Sequence, residues 1–327
     1  MRRSGFIFVV AFSLGIAAVF GYQFLCKQFI PDEPLSKAKH CTFRYVNPGR
    51  CEPNVAPKKR EYVRLHNDLL AYFTAQRESG IITDAAVYFR DLENGPSISI
   101  NSQSNFIPAS LLKLPLLITY YKKAESDPKL LQQKVTVPKD VDTLIQDIVP
   151  KKRAEPGKTY TVDQLLNLLI TQSDNVSWKV LLNHLRQHYS EEDFVSTLSD
   201  LGIVDPRKQS DQEYITVQSY AAIFRSLYNS SYLSIPMSDK ALQLLTQSEY
   251  KNGLIPGIPN SITVAHKFGE QHNGTEQQLH DCGIVYDPDD PYILCVMTRG
   301  FAIKDLEPVI QEVSRRVYTE VASRNGE

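Results

Sequence analysis

Phe106-Ile-Pro-Ala-Ser110-Leu-Leu-Lys113-Leu-Pro115 is a polar loop running into an apolar, helix-forming stretch. A serine and a lysine three residues apart share one helix face, so their side chains meet. A serine hydroxyl is a weak nucleophile until a neighbouring base takes its proton. An amine serves as that base once burial and nearby positive charge lower its pKa. Ser110 also stands near a helix N-terminus, whose free N–H groups favour developing negative charge. Alone the pattern is weak, because Ser-x-x-Lys also arises by chance as a capping serine followed by a solvated lysine.

Two further stretches raise its weight. Thr161 and Gln164 form a capping box ahead of Leu165, Leu166, Leu168 and Leu169, a helical apolar face. Ser173-Asp174-Asn175 then reads as a polar turn closing that helix, with the Ser173 hydroxyl and the Asn175 amide on a cleft wall. Lys267-Phe268-Gly269 ends the β-like run Ile262-Thr-Val-Ala-His266 and precedes a turn-rich stretch. It reads as a cleft-lining strand, with Lys267 a fixed positive charge and Gly269 admitting a close backbone approach by substrate.

In this order, Ser-x-x-Lys, Ser-Asp-Asn and a Lys-x-Gly element resemble the penicillin-recognising serine acyl-enzymes, the superfamily of class A β-lactamases and penicillin-binding proteins. The resemblance covers roughly Arg60 to Arg324. It implies an α+β fold of β-lactamase/transpeptidase type: one antiparallel sheet built from both ends of the domain, packed against a mostly helical region. The element pattern agrees. Tyr62 to Arg77 is amphipathic. Asp84 to Asp91 and Ser97 to Asn101 alternate like strands around Glu93-Asn94-Gly95-Pro96. Asp281 to Tyr286 and Tyr292 to Thr298 read as a hairpin, and Leu306 to Val321 as a closing helix.

The resemblance also assigns roles. Ser110 is the nucleophile and Lys113 its base. Ser173 relays a proton to the leaving nitrogen, assisted by the charge of Lys267. Asn175, Phe268, Gly269 and Glu270 contact the substrate, and the backbone N–H groups of Ser110 and Glu270 hold the oxyanion. No cofactor or metal is implied.

Two departures bear on the substrate. Class A enzymes deacylate with water activated by a glutamate in a Glu-x-x-Asn context. No such context stands in the Leu201 to Tyr214 region, where it is expected; Glu213 and Asp211 there are the weak candidates for that base. Phe268 stands where the family has a threonine, and it cannot donate a hydrogen bond to a substrate carboxylate. The Glu270 carboxylate repels an anionic substrate if it points into the cleft. His266, His272, Arg299 and Lys304 are the cations within reach by sequence.

Residues 1–25 carry Arg2 and Arg3 ahead of an apolar stretch, Gly5 to Leu25. That length suits a bilayer span of about 20 residues, and the flanking arginines place the remainder outside the membrane. An uncleaved anchor is expected, with a cleavable signal peptide as the rival. Residues 26–59, rich in proline and lysine, read as a stalk, and residues 60–327 as the catalytic domain. With 36 basic and 37 acidic residues and no basic stripe, nucleic acid is not an expected partner. A monomer is expected. Of five cysteines, Cys41 and Cys51 are placed to close a loop in the stalk, while Cys282 and Cys295, on adjacent strands, are left open between a bridge and two buried thiols. His184 and His188 sit one helical turn apart, on a face expected to be solvated.

The expected function is a class A β-lactamase-like serine hydrolase. A D,D-peptidase-like enzyme acting on peptidoglycan peptides and a non-catalytic wall-binding module are the alternatives.

Overall fold

The computed structural model describes residues 43–47, 62–93, 96–141, 146–208 and 212–324. The leader, most of the stalk with Cys26, Cys41 and Cys51, and Asp211 lie outside the described residues. Among those described, no helix is long and apolar enough to cross a membrane.

The chain enters through α1 (Val63–Glu78), then β1 (Ile82–Asp91) and β2 (Ser97–Ile100). A 3-10 turn, Ala109–Leu112, leads into α2 (Lys113–Ala124). A small ribbon, β3 (Lys134–Thr136) and β4 (Thr159–Thr161), precedes α3 (Val162–Thr171), α4 (Asn175–His188), α5 (Glu191–Asp200), α6 (Val217–Tyr228) and α7 (Ile235–Thr246). The chain returns through β5 (Thr263–Asn273), β6 (Glu276–Tyr286) and β7 (Tyr292–Gly300), and closes with α8 (Ile303–Arg324).

Five strands form one antiparallel sheet in the order β2-β1-β7-β6-β5, so both ends of the domain build it, as expected. Strand β7 is apolar at nearly every position because both sheet faces are covered. Its Tyr292, Leu294 and Val296 pack with Leu65, Leu69 and Phe73 of α1 and with Val309 and Val313 of α8. Its Ile293, Cys295 and Met297 pack on the opposite side, with the apolar faces of α2, α3 and α6. The period-2 alternation of a strand thus serves two cores at once. Strand β6 approaches β5 closely at Gly283, where a β-carbon would come within 2.4 Å of the Ala265 carbonyl oxygen.

Several local readings are adjusted. The β5 run does not end at Gly269 but continues from Glu270 to Asn273, into the stretch expected to turn. Cys282 and Cys295 face each other in register on β6 and β7 and are joined as a disulfide. His184 is not on a solvated face. It is buried, with Nδ1 3.0 Å from the Tyr120 hydroxyl, because α4 turns that side onto α2.

Candidate active site

Three segments meet between the sheet and the helices. The first is the turn Ala109–Leu112, where Ser110 and Lys113 stand i and i+3 apart; 3-10 geometry nearly eclipses such a pair. Lys113 Nζ lies 2.9 Å from Ser110 Oγ. The second is the link between α3 and α4. The Thr161–Gln164 capping box starts α3, as its sequence announces. Asp174 caps α4, accepting from the N–H groups of Val176 (3.1 Å) and Ser177 (2.9 Å). Its second oxygen also takes the Ala154 N–H at 3.0 Å. That anchoring sets Ser173 and Asn175, on either side of Asp174, against Lys113. The third is β5, an edge strand of the sheet, which carries Lys267.

Lys113 Nζ also reaches Ser173 Oγ at 3.1 Å, Asn175 Oδ1 at 2.7 Å and the Ser173 carbonyl oxygen. Lys267 Nζ donates to Ser173 Oγ at 2.9 Å and to the Phe268 carbonyl oxygen at 2.7 Å. Ser173 Oγ therefore sits between two amines. Both lysines are buried. Burial pushes the Lys113 amine down to about 7, with Asp174 and Glu270 pulling the other way. Burial, then the charge of Lys113, holds Lys267 well below the ordinary lysine range. A lysine near 7 is matched to base work at neutral pH.

Two non-glycine residues beside the reacting groups adopt left-handed backbone. Ala109, just before Ser110, has φ +47°, and Ser173 itself has φ +53°. Such conformations cost about 1–3 kcal/mol each and gather at functional sites.

Gly269 has a local explanation. A β-carbon there would lie 3.0 Å from Leu111 Cγ, 3.1 Å from the Pro108 carbonyl oxygen and 3.2 Å from the Leu111 N. The missing side chain makes room for the Ala109–Leu112 turn and the residue before it, rather than for substrate.

Glu270 bends onto the segment Gln146-Asp147-Ile148, where both its oxygens accept the Ile148 N–H at 3.0 Å. Burial raises its pKa. Gln146 Nε2 donates to the Ser173 carbonyl oxygen at 3.2 Å. Glu213 lies elsewhere in contact terms: Arg299 pairs with it at 2.8 Å and Gln278 Nε2 donates to it at 2.8 Å. His266 and His272 are likewise engaged, with Asp281 at 2.8 Å and Asp147 at 3.0 Å. No group of three or more His, Cys, Asp or Glu among the described residues is placed to hold a metal ion.

Sequence reading misses Asp174 as the anchor, Gln146 and Ile148 as the opposite wall, Tyr250 under Phe268, and Asp281. Only Asp174 carried a local signal, as a capping residue before a helix. Asp281 is fully buried on β6 and accepts from the Leu254 N–H at 2.9 Å as well as facing His266. Breaking a buried pair by removing one partner costs about 3–5 kcal/mol. Asp281→Ala is therefore expected to lower Tm by roughly 10 °C. Thermal melts of the variant and wild type check this; equal Tm values would show that the pair contributes little.

The fold sets a serine hydroxyl against a buried amine beside a sheet edge. The model of the Beta-lactamase enzyme family matches residues 68–321, and the chain belongs to that family. It is 22% identical over 246 residues to the β-lactamase VEB-1 of Pseudomonas aeruginosa, covering 69% of this chain and 79% of that protein. Among solved structures, a PBP-A variant in acyl-enzyme complex with penicillin G superposes with a TM-score of 0.66 at 20% identity, over 82% of this chain and 100% of that one. A β-lactamase from Chitinophaga pinensis gives a TM-score of 0.65 at 19% identity, over 78% of this chain and 100% of that one.

Proposed function

We propose that this chain is a serine hydrolase that opens β-lactam-type cyclic amides through an acyl-enzyme on Ser110. The observation that carries the reading is the contact of Ser110 Oγ with a buried amine whose proton is already loosely held, 2.9 Å away. Neutral Lys113 takes the Ser110 proton as Oγ bonds to the substrate carbonyl carbon. The carbonyl oxygen gains the electron pair and rests on the backbone N–H groups of Ser110 and Glu270. The C–N bond then breaks, and Ser173 Oγ gives its proton to the leaving nitrogen. Lys113 and Lys267, both hydrogen-bonded to Ser173 Oγ, resupply that proton. Asn175, whose Oδ1 accepts from Lys113, orients the substrate amide. Water attacks the ester carbonyl, releasing a carboxylate and restoring the Ser110 hydroxyl.

A second reading is favoured by one observation. Glu213, a candidate to activate that water, is neutralised by Arg299 and held by Gln278. A long-lived acyl-enzyme of the D,D-peptidase kind follows if no other group takes its place. Intact-mass spectrometry of the full chain with a penicillin, followed over time, separates the two. The expected result is an adduct of one penicillin that decays while the drug is consumed. A persistent adduct favours the peptidase-like reading, and neither adduct nor consumption overturns both.

We also place the catalytic domain outside a membrane. The apolar Gly5 to Leu25 stretch behind Arg2 and Arg3 supports this. So does the Cys282–Cys295 disulfide, which suits an oxidising compartment.

A further inference from the structure

The loop that carries Ser110 is gripped at Ile107, three positions before it. Gln278 and His280 stand two positions apart on β6, so both side chains leave the same face of the sheet. Gln278 Oε1 accepts the Ile107 N–H at 3.0 Å, and His280 Nε2 lies 3.1 Å from the Ile107 carbonyl oxygen. A carbonyl oxygen only accepts, so His280 Nε2 carries the proton and donates it. Burial pushes this imidazole down to about 4, which leaves it neutral at pH 7. All three residues are buried. Two side chains of one strand thus hold both polar groups of a single backbone residue.

The grip is braced on every side. Gln278 Nε2 donates to one oxygen of Glu213 at 2.8 Å, and Arg299 pairs with the other at 2.8 Å. Arg299 also donates to the Asn105 carbonyl oxygen at 3.0 Å. Phe106 exchanges backbone hydrogen bonds with Ile215, at 2.8 and 3.2 Å, and its ring lies edge-on to the His280 imidazole with centroids 5.4 Å apart. Beyond Ser110, the buried Tyr220 hydroxyl donates to the Leu111 carbonyl oxygen at 2.9 Å. Between these anchors Ala109 is left-handed, with φ +47°, a conformation the surroundings must impose on an alanine. The proton steps give Gln278 and His280 nothing to move. What they fix is the place of the chain leading to Ser110, and a displacement of 1 Å in a reacting group costs about 10²-fold in rate.

We infer that Gln278 and His280 are positioning residues, which hold the backbone at Ile107 so that Ser110 meets Lys113 at hydrogen-bonding distance. The inference rests on the acyl-transfer reading above and names what keeps its nucleophile in place.

The test follows acylation of the full chain by benzylpenicillin, quenched and read by intact mass at several drug concentrations. This separates the saturating acylation rate from the Kd of the noncovalent complex. His280→Leu, which removes the donor, is expected to lower the saturating rate about 10–10²-fold and to leave that Kd within about twofold. His280→Gln, whose side-chain N–H can reach the same carbonyl, is expected to recover most of the loss. Gln278→Met, which keeps the length without the amide, is expected to slow acylation in the same way, and it carries the measurement if His280→Leu does not fold. A role in stability alone lowers Tm and leaves the saturating rate of the folded protein unchanged. That result, or a His280→Gln variant as slow as His280→Leu, would overturn the inference. If the drug leaves no adduct even on the wild type, the serine reading fails by itself, and hydrogen exchange of residues 105–112 decides the grip. Faster exchange there in His280→Leu, with exchange of α8 unchanged, leaves the grip standing; equal exchange overturns it.

Discussion

Ser110→Ala is expected to abolish every covalent adduct with a penicillin or other acylating probe and to lower β-lactam consumption by about 10³-fold or more. In serine hydrolases, removing the nucleophile alone costs nearly as much as removing its whole catalytic set. The change is small in folding terms. Ser110 lies on a short 3-10 turn, and its hydroxyl contacts Lys113 at 2.9 Å without joining a core. Intact-mass spectra of wild type and variant under one dose of penicillin decide the matter. Undiminished labelling of the variant would move the nucleophile elsewhere, and Ser173, between two amines, would be the first residue to test.

Lys113→Met is expected to slow acylation by about 10²–10⁴-fold, the usual contribution of a positioned general base. The pH profile of the wild type carries the sharper signature. Only the unprotonated amine accepts the Ser110 proton, and burial brings its pKa down to about 7. Acylation should therefore rise with pH, about tenfold per unit below 7, and level off above it. An amine in the ordinary lysine range would keep the rate climbing to about pH 10. The methionine variant should lose this inflection along with the rate. Stopped-flow acylation across pH 5–9 tests both. A wild-type profile flat through 7, with a variant of similar rate, would remove Lys113 from the base role.

Both lysines are pushed in the same direction, which ties the pair together. Burial lowers both, and the charge of Lys113 lowers Lys267 further. One shared proton is the comfortable state for two amines that both reach Ser173 Oγ. A hydroxyl so placed can give a proton in one direction and be refilled from the other.

Much of this was legible along the chain because it is local. The i, i+3 spacing of Ser110 and Lys113, the Thr161–Gln164 capping box and the alternation of β1 and β2 each depend on neighbours a few residues away. Those signals are written in helix and strand periods, and the order of the three short elements marked the family. The backbone left-handedness of Ala109 and Ser173 was not legible, since neither residue favours it; tertiary packing holds them there.

What folding alone decided lies across the sheet and the cleft. Gly269 looked like a place for substrate, yet the turn at Pro108 and Leu111 fills that space. Glu270 read as a charge aimed at substrate, yet it accepts the Ile148 N–H from a segment 122 positions away. Glu213 read as a candidate base, and the fold sets it against Arg299 and Gln278. Tyr250 gave no signal at all before it came to lie under Phe268. The amino-acid sequence by itself determined the elements, the sheet built from both ends and the family, because these follow from residue type, motif order and short-range period. The tertiary structure decided what each charge faces and what each ring stacks on, because Coulomb partners and ring contacts belong to distances between remote segments, and no local period records those.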